Sequence, residues 1–205
     1  KNCPVVSGKG DYTKINYPCI PCDSIGEGGL LVELFKYPGV KLNGRLNATI
    51  DIANGLIKAG KIAQSRGYEL YVQSTCRSYE TQRLLWNRAP EKQRTVKVSR
   101  PGLSNHGFGN AVDVQLKKTK KTTDAYGNET TKSGAAITSL SFCQQCKQDK
   151  NNLTKLTDIM FEAGFTRYCP EVWHYEIGVK EEKNHTKCTG LPPSCKNNPE
   201  PCKAK

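Results

Sequence analysis

Two of the 3 histidines in this chain, His106 and His174, stand near carboxylates in stretches that combine strand patterning with glycine or a turn. The first stretch reads Ser104-Asn105-His106-Gly107-Phe108-Gly109-Asn110-Ala111-Val112-Asp113, so seven positions separate His106 from Asp113. An extended strand would hold them about 23 Å apart and a helix about 10 Å, whereas two ligands of one zinc ion must each bring a donor atom to about 2 Å of it. A shared metal therefore requires the chain to turn back between them. Gly107 and Gly109 are the residues that can take positive φ or admit a close backbone approach there. In the second stretch, Pro170-Glu171-Val172-Trp173-His174-Tyr175-Glu176-Ile177, strand alternation puts His174 on one face with Val172 and Glu176, and Glu171 enters from the preceding turn. Two imidazoles and one carboxylate, from His106, His174 and Asp113, leave a fourth zinc position open for water, as in a catalytic rather than a structural site. A nearby free carboxylate, Glu171, would complete the chemistry.

The elements that must position these groups can be read from periodicity. Leu46, Ile50, Ala53, Leu56, Ile57 and Ile62 follow helical spacing, and Gly67 supplies a stop. Residues 68–74, rich in aromatic and β-branched side chains, read as a strand that delivers Arg77 to a rim, and Ser78 is a natural N-cap for a helix through Trp86. Residues 110–116 alternate, with Val112, Val114 and Leu116 facing a core and Ala111, Asp113 and Gln115 facing away. A further amphipathic helix is expected over Leu153–Ala163, ending at Gly164, and a further strand over residues 173–178. Residues 117–152 are polar and lysine-rich, and are expected to form a long loop bordering a substrate cleft. Strands without hairpins, far apart in sequence, fit an α+β fold better than βαβ alternation. The organisation expected is a Cys/Pro/Gly-rich arm over 1–44, packed on one domain over 45–178, with a Cys-rich tail over 179–205.

Composition narrows the setting. The sequence starts without an initiator Met or an apolar leader, as a mature form would, and no apolar stretch approaches the length of a membrane span. Ten cysteines in 205 residues, an even number, point to structural disulfides and an oxidising, extracellular or periplasmic compartment. Cys19-x-x-Cys22 and Cys143-x-x-Cys146 have the spacing of half a zinc knuckle or of a redox site, but their flanks lack the strand-then-helix setting of a thioredoxin motif. Asn-x-Thr sequons at Asn47, Asn128, Asn152 and Asn184 agree with a secretory route. A formal charge of +12 predicts attraction to polyanions such as nucleic acid, anionic lipid or an acidic cell-wall polymer, without choosing among them. No nucleic-acid-binding motif accompanies it, and a monomer is expected.

The two stretches match S-x-H-x-x-G-x-A-x-D and E-x-x-H at every position. In this the chain resembles the D-alanyl-D-alanine carboxypeptidase and dipeptidase (VanY-like) group of zinc peptidases, and Ser74-Thr75-Cys76-Arg77-Ser78-Tyr79-Glu80-Thr81-Gln82 is similar to that group's S-G-Y-R-S-x-x-x-Q. Thr75-Cys76 departs from the Gly-Tyr of that pattern, and the Cys-rich arm and tail have no counterpart in the minimal family domain. The resemblance covers about residues 45–178. It implies a small antiparallel sheet flanked by helices, as in the hedgehog/DD-peptidase fold, and one zinc ion held by His106, Asp113 and His174. It also implies Glu171 as general base and acid, Arg77 beside the scissile carbonyl, and Ser104, Ser78 and Gln82 as substrate contacts, although Ser78 and Gln82 could equally serve their own helix. The activity implied is hydrolysis of peptidoglycan stem peptides, first as D-alanyl-D-alanine carboxypeptidase. The alternatives are L-alanyl-D-glutamate endopeptidase and a non-catalytic zinc-containing binding module.

Overall fold

A computed structural model of the chain describes residues 22, 31–35, 37–91, 94, 98–178, 185–186, 188 and 190–197. Most of the expected arm, with Cys19, and much of the tail, with Asn184, lie outside the described residues. Strands β1 (Leu31–Glu33), β2 (Val40–Leu42) and β3 (Asn47–Thr49) precede helix α1 (Ile50–Ser65) and strand β4 (Tyr68–Ser74). Helix α2 (Tyr79–Arg88), the long β5 (Ala111–Thr123) and β6 (Glu129–Ala136) follow. The chain closes with α3 (Lys150–Glu162), β7 (Thr166–Tyr168), β8 (His174–Glu176), β9 (His185–Thr186) and the short α4 (Ser194–Asn197). The fold is α+β. The main sheet runs β2-β4-β5-β8-β7-β9, with β6 paired to the far end of β5, while β1 and β3 make a separate two-stranded sheet. All pairings in the main sheet are antiparallel except β2 on β4, which is parallel.

The core lies between one face of this sheet and the inner faces of α1 and α3. Leu70 and Val72 of β4, Val112, Val114 and Leu116 of β5, and Tyr175 of β8 pack there with Ile52 and Leu56 of α1 and Leu156, Ile159 and Met160 of α3. Each is fully buried, and at about 25 cal/mol per Å² of apolar area such burial is the main favourable term in the fold. Gly60 of α1 lets the helix approach the chain before β2, since a Cβ there would stand 2.5 Å from Val40 Cγ2 and 2.7 Å from the Pro38 carbonyl oxygen.

Strand β4 and the start of α2 lie where the spacing predicts them, with Ser78 Oγ accepting the Thr81 N–H as the N-cap. Helix α1 starts at Ile50 rather than Leu46, because Asn47–Thr49 pairs with β1 instead. The expected loop over 117–152 is largely a hairpin. Strand β5 continues to Thr123, and the chain turns where the Asp124 side chain accepts the N–H groups of Tyr126 and Asn128 and Gly127 takes φ 84. The ribbon is mostly Thr and Lys and has no large apolar side chains, so period-2 hydrophobicity could not announce it. None of its residues lines the cleft described below.

Among the described residues, disulfides join Cys22 to Cys76, Cys146 to Cys195 and Cys169 to Cys188. Cys143 is also disulfide-bonded, and since Cys146 is joined to Cys195 the Cys143-x-x-Cys146 pair is not a local redox couple. Several disulfides fit an oxidising compartment. Among the described residues, no helix is long and apolar enough to cross a membrane.

Candidate metal centre and active-site cleft

The sheet register builds the site. Strands β5 and β8 pair with Val112 opposite Tyr175 and Asp113 opposite His174. Because successive side chains alternate, the residues that bury Val112 and Tyr175 in the core project Asp113 and His174 from the other face. The loop before β5 then brings His106 back over that face. Gly107 N–H returns to the Ser104 carbonyl, Gly109 N–H returns to the His106 carbonyl, and Gly109 has φ 73. This is the reversal that the spacing of His106 and Asp113 demands.

His106 Nε2 lies 3.2 Å from Asp113 Oδ2 and 3.2 Å from His174 Nδ1, and His174 Nδ1 lies 3.1 Å from Asp113 Oδ1. One donor atom from each of these three residues falls within 4.8 Å of the others. The outward nitrogens are also held. His106 Nδ1 is 2.6 Å from the Thr75 carbonyl, which fixes its proton there and turns Nε2 toward the cluster. His174 Nε2 is 2.9 Å from Glu176 Oε1, which also accepts from Asn105 Nδ2 at 2.6 Å.

Burial lowers the His106 pKa, and Asp113 only partly offsets that shift. Burial alone would raise Asp113, but the two imidazoles override it and hold the carboxyl far below its usual range. Burial likewise opposes charge on His174, yet its hydrogen bonds to Asp113 and Glu176 prevail and its pKa is pushed up to about 10. Glu171, whose Oε2 is 3.9 Å from His174 Nδ1, has its pKa raised by burial, with Asp113 and Glu176 adding to the effect and His174 and Arg77 opposing it.

A cleft of about 420 Å³ opens over this cluster. Arg77, Ser104 and Glu171 line it together with the apolar Leu85, Leu103 and Trp173. Arg77 Nη2 donates to Asp113 Oδ2 at 3.4 Å and its Nη1 to Gln82 Oε1 at 3.0 Å, while Gln82 Nε2 donates to the Ser99 carbonyl at 2.7 Å.

A sequence profile of VanY, D-alanyl-D-alanine carboxypeptidase, matches residues 46–191, well over half of the chain. The chain belongs to this family. Among curated proteins, the D-alanyl-D-alanine dipeptidase of Escherichia coli (strain K12) is 29% identical over 133 residues, which are 62% of this chain and 64% of that protein. The chain thus spans just under two thirds of the length of that curated relative. Solved structures similar to it include the vancomycin-resistance D,D-pentapeptidase VanY of a VanB-type cassette, a mutant with Zn(II), at TM-score 0.47 and 18% identity over 75% of this chain and 81% of that one. The LdcB LD-carboxypeptidase gives 0.49 and 18% over 84% and 73%.

The donor set fits zinc. Two imidazole nitrogens and a carboxylate oxygen are its usual borderline ligands, and both imidazoles are oriented from behind by an acceptor, as ligating histidines are. All of His106, Asp113, His174, Glu171, Arg77, Ser104 and Gln82 meet around the cleft. Ser78 does not line it, since its hydroxyl caps α2. Gln82 is 2% exposed with its amide tied to Arg77 and Ser99, so its first role is to hold the guanidinium. Sequence reasoning placed Glu176 on the His174 face without giving it work. The two-residue spacing within β8 was the available signal. Thr75, which stood out only as a departure from the motif, supplies its carbonyl to His106.

Proposed function

We propose that this VanY-family chain is a secreted zinc-dependent carboxypeptidase that removes terminal D-alanine from peptidoglycan stem peptides. In this reading His106, Asp113 and His174 hold the metal and Glu171 transfers protons. The observation that carries it is three convergent donor groups within 4.8 Å of one another, with a half-buried carboxylate beside them in one cleft. Zinc bound there would serve as a Lewis acid, activating water and polarising a peptide carbonyl. Glu171 Oε2, in surroundings that raise its proton affinity, takes the proton of the attacking water and returns it to the departing amine. Arg77, held by Gln82 and Asp113, presents its guanidinium to the oxygen on which negative charge develops. Leu85, Leu103 and Trp173 offer the substrate an uncharged wall, suited to small apolar side chains such as the alanine methyl. Ser104, which lines the cleft at 6% exposure, would hydrogen-bond the peptide in this reading. Glu171 together with Arg77 favours an enzyme over a zinc-containing binding module, which needs neither.

The test is digestion of defined muropeptides ending in D-Ala-D-Ala, with products weighed by mass spectrometry. Loss of one alanine is expected. Release of the dipeptide, or cleavage within the stem, would move the chain to another branch of the family's chemistry. Glu171→Ala should retain stoichiometric zinc while turnover falls about 10²-fold or more. Equal turnover by both proteins would refute the role given to Glu171.

A further inference from the structure

The Thr75-Cys76-Arg77 segment between β4 and α2 does three things in three consecutive residues. The Thr75 carbonyl orients the His106 ring, Cys76 is crosslinked to Cys22, and the Arg77 N–H donates to the His106 carbonyl at 3.1 Å. Cys22 itself is 1% exposed and its N–H donates to the Gly107 carbonyl at 3.2 Å, while its Sγ lies 2.9 Å from the His106 carbonyl oxygen. Both sulfurs also sit behind Gly109, where a Cβ would stand 3.7 Å from Cys76 Sγ and 3.8 Å from Cys22 Sγ. The disulfide therefore rests against His106, Gly107 and Gly109, the same loop that must reverse to bring His106 to Asp113.

We infer that the Cys22–Cys76 disulfide is a positioning element of the metal centre, setting the reversal at His106–Gly109 and the carbonyl that fixes the His106 tautomer. The inference rests on the metal reading above. Cys22 belongs to no strand or α-helix, and its link to Cys76 spans a sequence separation of 54. Its N–H meets Gly107 where the covalent bond holds it. On the other side of the bond, Cys76 N–H and Thr75 Oγ1 both donate to the Asn47 carbonyl, at 3.1 and 2.5 Å, so the crosslink closes a clamp whose remaining jaw is β3. Without the sulfur bridge the loop keeps its own turns but loses Cys22 as a backstop, and the Thr75 carbonyl loses one of its two anchors.

The Cys146–Cys195 disulfide supplies the control. Its sequence separation of 49 is close to 54, so each bridge taken alone closes an unfolded-chain loop of similar length. None of the residues 22, 146 or 195 lines the cleft. The experiment compares the full chain, Cys22→Ala/Cys76→Ala, and Cys146→Ala/Cys195→Ala by thermal unfolding, by zinc affinity in competition with a chromogenic chelator, and by the visible spectrum of the Co(II)-substituted proteins. A lowered Tm is expected for both double variants, with at least a tenfold loss of zinc affinity and an altered Co(II) spectrum only in the first. Cys22→Ala/Cys76→Val, which refills the sulfur volume without the bond, should show the same loss of affinity. Unchanged affinity and spectrum in a folded Cys22/Cys76 variant would overturn the inference while leaving the metal reading intact. So would failure of both Cys22/Cys76 variants to fold while the control folds, since the bridge would then serve the domain as a whole. Absence of zinc binding by the wild type would remove the metal reading and this inference with it.

Discussion

Glu176 offers a sharp test of how the site is held, because its carboxylate stands directly behind His174. It is 1% exposed, and its Oε1 accepts hydrogen bonds from His174 Nε2 at 2.9 Å and from the Asn105 amide at 2.6 Å. Glu176→Gln keeps the volume and an acceptor oxygen but removes the charge. A charge-assisted hydrogen bond contributes about 1.5–3 kcal/mol and a neutral one about 0.5–1.5, so the difference of about 1–2 kcal/mol predicts a fall in zinc affinity of about 5- to 30-fold. Glu176→Ala also leaves the His174 ring free to turn, and should approach the 100-fold end of effects seen when a partner behind a ligating histidine is lost. Chelator competition over a range of pH, extrapolated to deprotonated His174 so that a lowered pKa does not offset the loss, measures both. A graded order of wild type, then Gln, then Ala is expected. Affinity within twofold of wild type in both variants would refute the view that the carboxylate behind His174 tunes the metal site.

Proton linkage follows from the same geometry. At pH 7.5 His174, with its pKa pushed up to about 10, carries a proton in the metal-free protein, whereas His106 is lowered and Asp113 is already ionised. Zinc uptake should therefore release about one proton, and affinity should rise with pH until about 10. Calorimetry in buffers of different ionisation enthalpy counts that proton, and a count near zero would contradict the charge state assigned to His174. In the hairpin, Lys120 stands directly opposite Lys132, and like charges across a ladder are unfavourable. Lys132→Glu should stabilise the fold by about 0.2–1 kcal/mol at low salt, with the gain shrinking as salt is added; chemical denaturation reads this, and no gain at any ionic strength would count against that pairing.

What could be read from the sequence was what local spacing encodes. The gap between His106 and Asp113, with glycines inside it, already required a reversal, and β4 followed by the Ser78 cap gave Arg77 its place because strand pattern and cap chemistry act over a few residues. What could not be read depends on partners distant in sequence. Asn47–Thr49 continues the helical spacing of α1 by one turn, yet it is a strand because β1 lies alongside it. Thr49 occupies the N-cap position without capping, since its hydroxyl donates to the Gly109 carbonyl at 2.8 Å instead. The β5–β6 ribbon could not be read because its Thr- and Lys-rich strands carry no hydrophobic signal. The pairing of Cys22 with Cys76 follows from a contact made only in the folded chain.

The ligand geometry is inherited from the core. Asp113 sits between Val112 and Val114 and His174 precedes Tyr175, and those three neighbours are fully buried. Because the side-chain period of a strand is two, slipping β8 by one residue against β5 would move His174 toward α1 and α3 and force Tyr175 out. The buried apolar partners thus fix the register that places His174 opposite Asp113. The irregularity between Val72 and Ser74, where β4 meets Asp113, ends the regular ladder just before Arg77. The chain can then leave the sheet there and bring the guanidinium to the metal-binding face. Small core changes at Val112 or Tyr175 should therefore disturb zinc binding although neither side chain faces the cleft, because the sheet cannot repack that layer without moving the strands that carry the ligands.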